Sequence, residues 1–317
     1  MNKFKRLLVF FVGVLLVFTF IVPAWAQPAG KKPLGKVGGV ELEADVEGDA
    51  EIPDGDQERK RERERGWERL NLHQGASVTE HVYRGVANAL LHVKNPVARA
   101  ALTAILEGES VAEAVYKAKD ALTSWKNADE IAVVAEQLEN AVTADTTLDA
   151  ATRLQLRKHL SKMYYHAGRF KNARELLEAI LAQEPGDEEA YRELDETLAA
   201  AGDLQVKVYV KGRSLGFDVA PRVENGRVLL PVRALAEALG AEVKYENGRV
   251  TIQNGGSTIR LVIGSNQAVV DGVTVYLDVP ARVEGNRTLI PLRFVSEKFK
   301  AKVDYYTKSR MVAVQEI

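Results

Sequence analysis

Apolar residues recur at helical spacing through the middle of the chain. Val78, Val82, Val86, Ala89, Leu90 and Val93 fall on one face, and Ser77-Val78-Thr79-Glu80 has the form of a capping box at its start. Asn95-Pro96 stops that helix and opens the next, with Asn95 as cap and Pro96 at the first turn. Leu102, Ile105 and Leu106 form its apolar stripe, and Gly108 ends it. Ser110-Val111-Ala112-Glu113 reads as a second capping box ahead of Val115, Ala118 and Leu122. Asn127, with Glu130 three residues on, starts a further helix carrying Ile131, Val134, Leu138 and Ala141. No strand alternation interrupts this period before Gly202, so residues 70–203 are expected to form an all-helical domain.

From Leu204 the period changes to two. Val206, Val208 and Val210 read as one strand, and Ile259, Leu261 and Ile263 as another. The change near Gly202-Asp203 predicts two separable units. Residues 204–317 also match themselves at an offset of sixty positions. Arg222-Val223-Glu224 repeats as Arg282-Val283-Glu284, Leu229-Leu230-Pro231 as Leu289-Ile290-Pro291, and Arg233 and Glu237 as Arg293 and Glu297. Ala241, Val243 and Tyr245 repeat as Ala301, Val303 and Tyr305. Each copy reads as a strand, a turn built on Asn and Gly, a second strand, a short helix after the proline, and returning strands. The expected fold is multidomain: an all-α domain followed by an α+β domain of two β-β-α-β-type repeats.

Ahead of the helices, Lys3, Lys5 and Arg6 precede an apolar run from Leu7 to Val22 and the small-x-small pattern Ala24-Trp25-Ala26. Residues 1–26 therefore read as a cleaved signal peptide, with an uncleaved anchor as the competing reading and the only route to a membrane association. Residues 27–69 are polar and charged, too poor in apolar groups to offset chain entropy, and read as a flexible tether. The expected location is secreted or at the cell surface.

Among 317 residues there is no cysteine, which excludes disulfides, thiolate metal sites and cysteine nucleophiles. With 43 Lys+Arg against 44 Asp+Glu the chain lacks the basic excess of nucleic-acid binders. No phosphate loop, nucleophile elbow, zincin helix or calcium loop is present, so no enzyme activity and no cofactor are expected.

Leu160, Tyr164, Gly168, Phe170, Ala173, Leu177 and Pro185 are spaced as in a tetratricopeptide repeat, and residues 154–187 resemble one such helical hairpin. Arg157 and Ser161 depart from the family pattern, standing where a large aromatic and a small residue are usual. The resemblance implies a concave face bearing Gln155, Lys158, Lys162, Tyr165 and His166, where the lysines could receive a peptide carboxylate. The competing reading makes the same residues a solvated face beside a packed core.

Leu277-Asp278-Val279-Pro280 and Thr288-Leu289-Ile290-Pro291-Leu292-Arg293-Phe294-Val295-Ser296-Glu297 resemble the copper amine oxidase N-terminal-like, or stalk, domain of bacterial envelope proteins. The resemblance implies a twisted antiparallel sheet around a helix, used as an extracytoplasmic appendage. It implies no copper site. All 5 histidines precede Leu204, and the only sulfur beyond that point is Met311. Arg233 with Glu237, and Arg293 with Glu297, are spaced for intrahelical ion pairs, which reads as fold maintenance; the alternative makes the arginines ligand-binding groups. The function expected is a non-catalytic interaction or scaffolding protein of the bacterial cell envelope, with a protein or a cell-wall component as partner. The alternative is a cell-wall carbohydrate-binding protein using Tyr245, Tyr276, Tyr305 and Tyr306.

Overall fold

The computed structural model describes residues 80–122 and 124–316. The signal segment, the tether and the Ser77 capping box lie outside them.

Among the described residues seven helices come first: α1 (Glu80–Leu90), α2 (Pro96–Leu106), α3 (Val111–Ala121), α4 (Ala128–Ala144), α5 (Ala150–His166), α6 (Phe170–Gln183) and α7 (Glu188–Ala200). Their buried faces carry the expected residues, with Val86, Leu102, Val115, Val134, Leu138 and Leu160 fully enclosed in one core. Asn95 caps α2 as expected, its side chain accepting from the Val97 and Ala98 amides. Two start signals act differently. The Ser110 side chain makes no cap bond at α3. Glu130 leaves the α4 cap to Asn127 and instead accepts from the Lys94 and Asn95 amides, tying the α1–α2 turn to α4. None of the described helices is long and apolar enough to cross a membrane.

The second part holds β1 (Lys207–Val210), β2 (Arg213–Ser214), β3 (Arg222–Glu224), β4 (Arg227–Pro231), α8 (Val232–Ala238), β5 (Glu242–Glu246), β6 (Arg249–Asn254) and β7 (Ser257–Val262). The second copy follows as β8 (Gln267–Val270), β9 (Val273–Tyr276), β10 (Arg282–Glu284), β11 (Arg287–Pro291), α9 (Leu292–Lys298), β12 (Ala301–Tyr306) and β13 (Met311–Glu316). The turn residues Asn225, Asn247 and Asn286 all take positive φ, as the hairpins require.

Three sheets result, in the orders β12-β13-β1-β2, β10-β11-β4-β3 and β5-β6-β7-β8-β9. Each is shared between the copies. The first sheet joins the opening hairpin of copy one to the closing hairpin of copy two, with β1 parallel to β13. The third does the reverse, with β7 inserted as an extra strand. The middle sheet pairs β4 directly with β11.

The helical and duplicated parts also share a core across the Gly202 boundary. Leu177, Ile180, Leu181, Tyr191, Leu194 and Leu198 of α6 and α7 pack against Tyr209 of β1 and Met311 and Ala313 of β13. The opposite face of the same strands, Val208, Val210, Val312 and Val314, belongs to the core of the duplicated part. The first sheet is thus buried on both faces, which is why residues 208–210 of β1 and 311–314 of β13 are apolar without interruption.

Candidate functional site

Helices α5, α6 and α7 form the hairpin and following helix that the sequence suggests. Gly168 turns α5 into α6 with φ 67°, and Ala173 is fully buried where the helices approach. Lys162, Tyr165 and His166 of α5 face Glu193, Glu196 and Thr197 of α7 across a groove of about 200 Å³. Three of the five candidate residues therefore line one concavity. Lys158 lies nearby but is ion-paired with Asp187, the cap residue of α7, and Gln155 is exposed without lining the groove.

The electrostatics of this groove are largely settled from within. Lys162 Nζ lies 3.1 Å from Glu189 and 3.0 Å from Glu193. Burial works against the ammonium, but these carboxylates outweigh it and hold the lysine above its ordinary pKa. Burial pushes the Glu193 carboxyl upward, with Lys162 opposing. A peptide carboxylate arriving at Lys158 or Lys162 has to displace Asp187, Glu189 or Glu193. Tyr165, 36% exposed and in edge contact with Phe170, offers an apolar surface with no such competitor.

The far wall of the groove is braced by the duplicated part. Asp195 of α7 is buried, and its Oδ1 accepts from the Ser309 amide at 2.8 Å and the Ser309 hydroxyl at 2.6 Å. Lys308 reaches Glu196 at 2.6 Å and Lys302 reaches Glu188 at 3.0 Å. Tyr209 Oη donates to Glu178 at 2.6 Å. Burial first, then the charge of Asp304 and after it that of the Tyr191 phenol, which stacks on it, raise the Tyr306 phenol to about 12. Asp195, Ser309, Lys302 and Lys308 were not identified from sequence spacing, since their partners lie more than a hundred residues away. The signal that marks them is the unbroken apolar run Met311-Val312-Ala313-Val314, which implies a strand covered on both faces.

In the duplicated part the expected intrahelical ion pairs are not formed. Among the described residues Arg233 and Arg293 meet no carboxylate; both are exposed, and Arg293 donates at 3.5 Å to the Val303 carbonyl. The ion pairs run between copies instead: Arg222 with Glu284 and Arg282 with Glu224, Arg227 with Asp278 and Arg287 with Asp218. Each pair has its counterpart at the sixty-residue offset with the copies exchanged. Tyr245 and Tyr276 lie on opposite edge strands of one sheet, Tyr305 on another sheet, and Tyr306 stacks on Tyr191 at 5.8 Å. The four tyrosines do not make a common aromatic face. No group of three His, Cys, Asp or Glu side chains among the described residues is placed to hold a metal ion.

Residues 209–314 match the copper amine oxidase N-terminal domain family, and residues 154–194 match the tetratricopeptide repeat family. No curated protein and no solved structure matches the chain. The two matched segments meet at the joint of α6 and α7 with β1 and β13, and together they indicate a protein-interaction or scaffold role.

Proposed function

We propose that this chain is a non-catalytic interaction or scaffolding protein that works outside the cytoplasm, in a bacterial cell envelope. The observation that carries this reading is the braced groove. A tetratricopeptide-like hairpin has one wall, α7, fixed to the duplicated part through Asp195 and Ser309 and a shared apolar core. A wall held on both sides keeps its shape when a partner docks, which lowers the ordering cost of binding. The exported location rests on Lys3 to Ala26 and the spacer role on residues 27–69. In this arrangement the tether sets reach, the hairpin holds a protein partner, and the duplicated module orients it.

Crosslinking on intact cells followed by mass spectrometry tests the reading. Crosslinks from Lys162 or Lys158 to one recurrent exported protein are expected, together with a mature chain beginning at Gln27. Recovery of the chain only from the cytoplasm, or crosslinks only to cytoplasmic proteins, would overturn it.

A further inference from the structure

Two grooves in the duplicated module are copies of each other. One, of about 360 Å³, is lined by Arg233, Tyr245 and Val243 of the first copy and by Val283 and Arg287 of the second. The other, of about 340 Å³, is lined by Arg293, Tyr305 and Val303 of the second copy and by Val223 and Arg227 of the first. Every one of these residues has its counterpart at the sixty-residue offset, with the copies exchanged. The twofold relation of the fold therefore delivers the same constellation twice.

The constellation has a definite chemistry. Each groove holds two arginines and no carboxylate among its lining residues. One arginine, Arg287 or Arg227, is anchored by Asp218 or Asp278. The other, Arg233 or Arg293, is exposed, and no carboxylate of the described residues engages it. Arg293 donates only to the Val303 carbonyl at 3.5 Å, and a guanidinium unpaired with any carboxylate beside an anchored one is arranged for a bidentate carboxylate. Tyr245 is 58% exposed and Tyr305 42%, so each groove also has a bare aromatic wall flanked by a valine. An aromatic face next to a cation suits a sugar ring that stacks its C–H surface and extends an acid group.

We infer that the module binds a carboxylated saccharide, one uronate-type residue in each groove. An acidic peptide is the less suitable occupant at β3 and β10, the edge strands that carry Val223 and Val283, because they are only three residues long and offer little main chain for strand addition. The two grooves differ in one respect. Asn286 and Thr288 in the first are replaced by Gly226 and Val228 in the second, so the first has more groups for sugar hydroxyls and binds more tightly.

Calorimetric titration of the whole chain with oligogalacturonate at low salt tests this. Two binding events per chain are expected. Arg233→Gln removes the tighter one and Arg293→Gln the weaker, each lowering affinity at its own groove by at least about tenfold, as expected for a charged hydrogen bond. Melting temperatures should change little, since both side chains are exposed and Arg293 makes only a 3.5 Å contact with the Val303 carbonyl. Should either variant melt lower, Tyr245→Ser and Tyr305→Ser give the same site-by-site test from the aromatic wall. Methyl-esterified oligogalacturonate should fail to bind. Binding that survives the double arginine substitution, or no binding at all, would overturn the inference. Poly-glutamate or inorganic phosphate binding as tightly as oligogalacturonate would overturn the saccharide assignment in favour of a peptide or a general anion. These readouts are independent of the helical groove, so the scaffold reading stands or falls separately.

Discussion

Leu230 stands directly opposite Ile290 where β4 pairs with β11, and both side chains are fully buried. They are equivalent positions of the two copies, and their neighbours pair reciprocally, Leu229 with Pro291 and Pro231 with Leu289. A local twofold axis therefore passes between them. It relates the exchanged ion pairs, the shared sheets and the two grooves, and it makes equivalent residues natural controls for each other.

Gly212 and Gly272 are such a pair. Both take positive φ, 76° and 86°. A Cβ on Gly212 would lie 1.8 Å from the Leu181 carbonyl oxygen in α6, whereas one on Gly272 would meet nothing within 4 Å. Gly272→Ala should cost about 1–2 kcal/mol from backbone strain alone. Gly212→Ala adds a backbone clash and should cost about 3 kcal/mol or more. Denaturant unfolding of the two variants checks this; equal losses would mean that α6 does not press on β2's turn as described.

Asp195→Ala strands the buried amide and hydroxyl of Ser309, which both donate to the same carboxylate oxygen. A loss of about 1–3 kcal/mol is expected. Ser309→Ala on the Asp195→Ala background should cost little more, because the interaction is already gone. Additive losses in that double-mutant cycle would show that the pair does not couple the two parts.

A fragment covering Leu204 to Ile317 keeps all its strand pairings but uncovers Tyr209, Met311 and Ala313, which α6 and α7 bury in the whole chain. It should melt at a lower temperature than the same sheets do in the intact protein. Matching transitions would show that the shared core contributes nothing across the boundary.

Gly168→Val should destabilise the helical part by more than about 1 kcal/mol. The cause is the backbone, since a Cβ there meets nothing within 4 Å while φ is 67°. Gly168→Asn should therefore be milder, because asparagine tolerates the left-handed region. Equal effects of the two substitutions, measured by thermal unfolding, would point to a clash instead.

His159 packs edge-on against Tyr116 at 5.1 Å. Burial, then the charges of Lys119 and Lys162, lower its pKa from 6.5, with Asp120 and Glu189 opposing. The folded chain thus binds this proton less readily than the unfolded chain. The resulting stability is fully present above about pH 6.5 and is lost as pH falls through the lowered folded value. His159→Gln should flatten the fall in melting temperature between neutral and mildly acidic pH. An unchanged slope would assign the dependence to other groups.

The helices and the duplicated pattern were legible because both depend on local spacing. Asn95, Pro96 and Gly168 act within their own turns, and the sixty-residue offset needs only comparison of the chain with itself. The joint was not legible from alternation. Reading Val206, Val208 and Val210 as one face left out Tyr209, which is fully buried against α6 and α7. The concave placement of Lys162, Tyr165 and His166 followed from family geometry, but the neutralisation of Lys162 by Glu189 and Glu193 depends on how α7 returns along α5. The ion pairs expected within α8 and α9 do not form; the pairs that do form use other residues and join the two copies, because the twofold axis, invisible to helical spacing, brings Glu224 beside Arg282 and Glu284 beside Arg222.

The parallel pairing of β1 with β13 has a consequence for the order of events during synthesis. Lys207 must wait for Met311, about one hundred residues later, before its strand can be completed on that side. Until then Leu181, Tyr191 and Leu194 on the finished helices have no cover, although their own hydrogen bonds are already made. β13 is the keystone, closing one sheet and sealing the helical core in a single step. Folding of these strands is therefore gated at β13, and the interval before closure is when the apolar surfaces of β1, α6 and α7 are open to association with other chains.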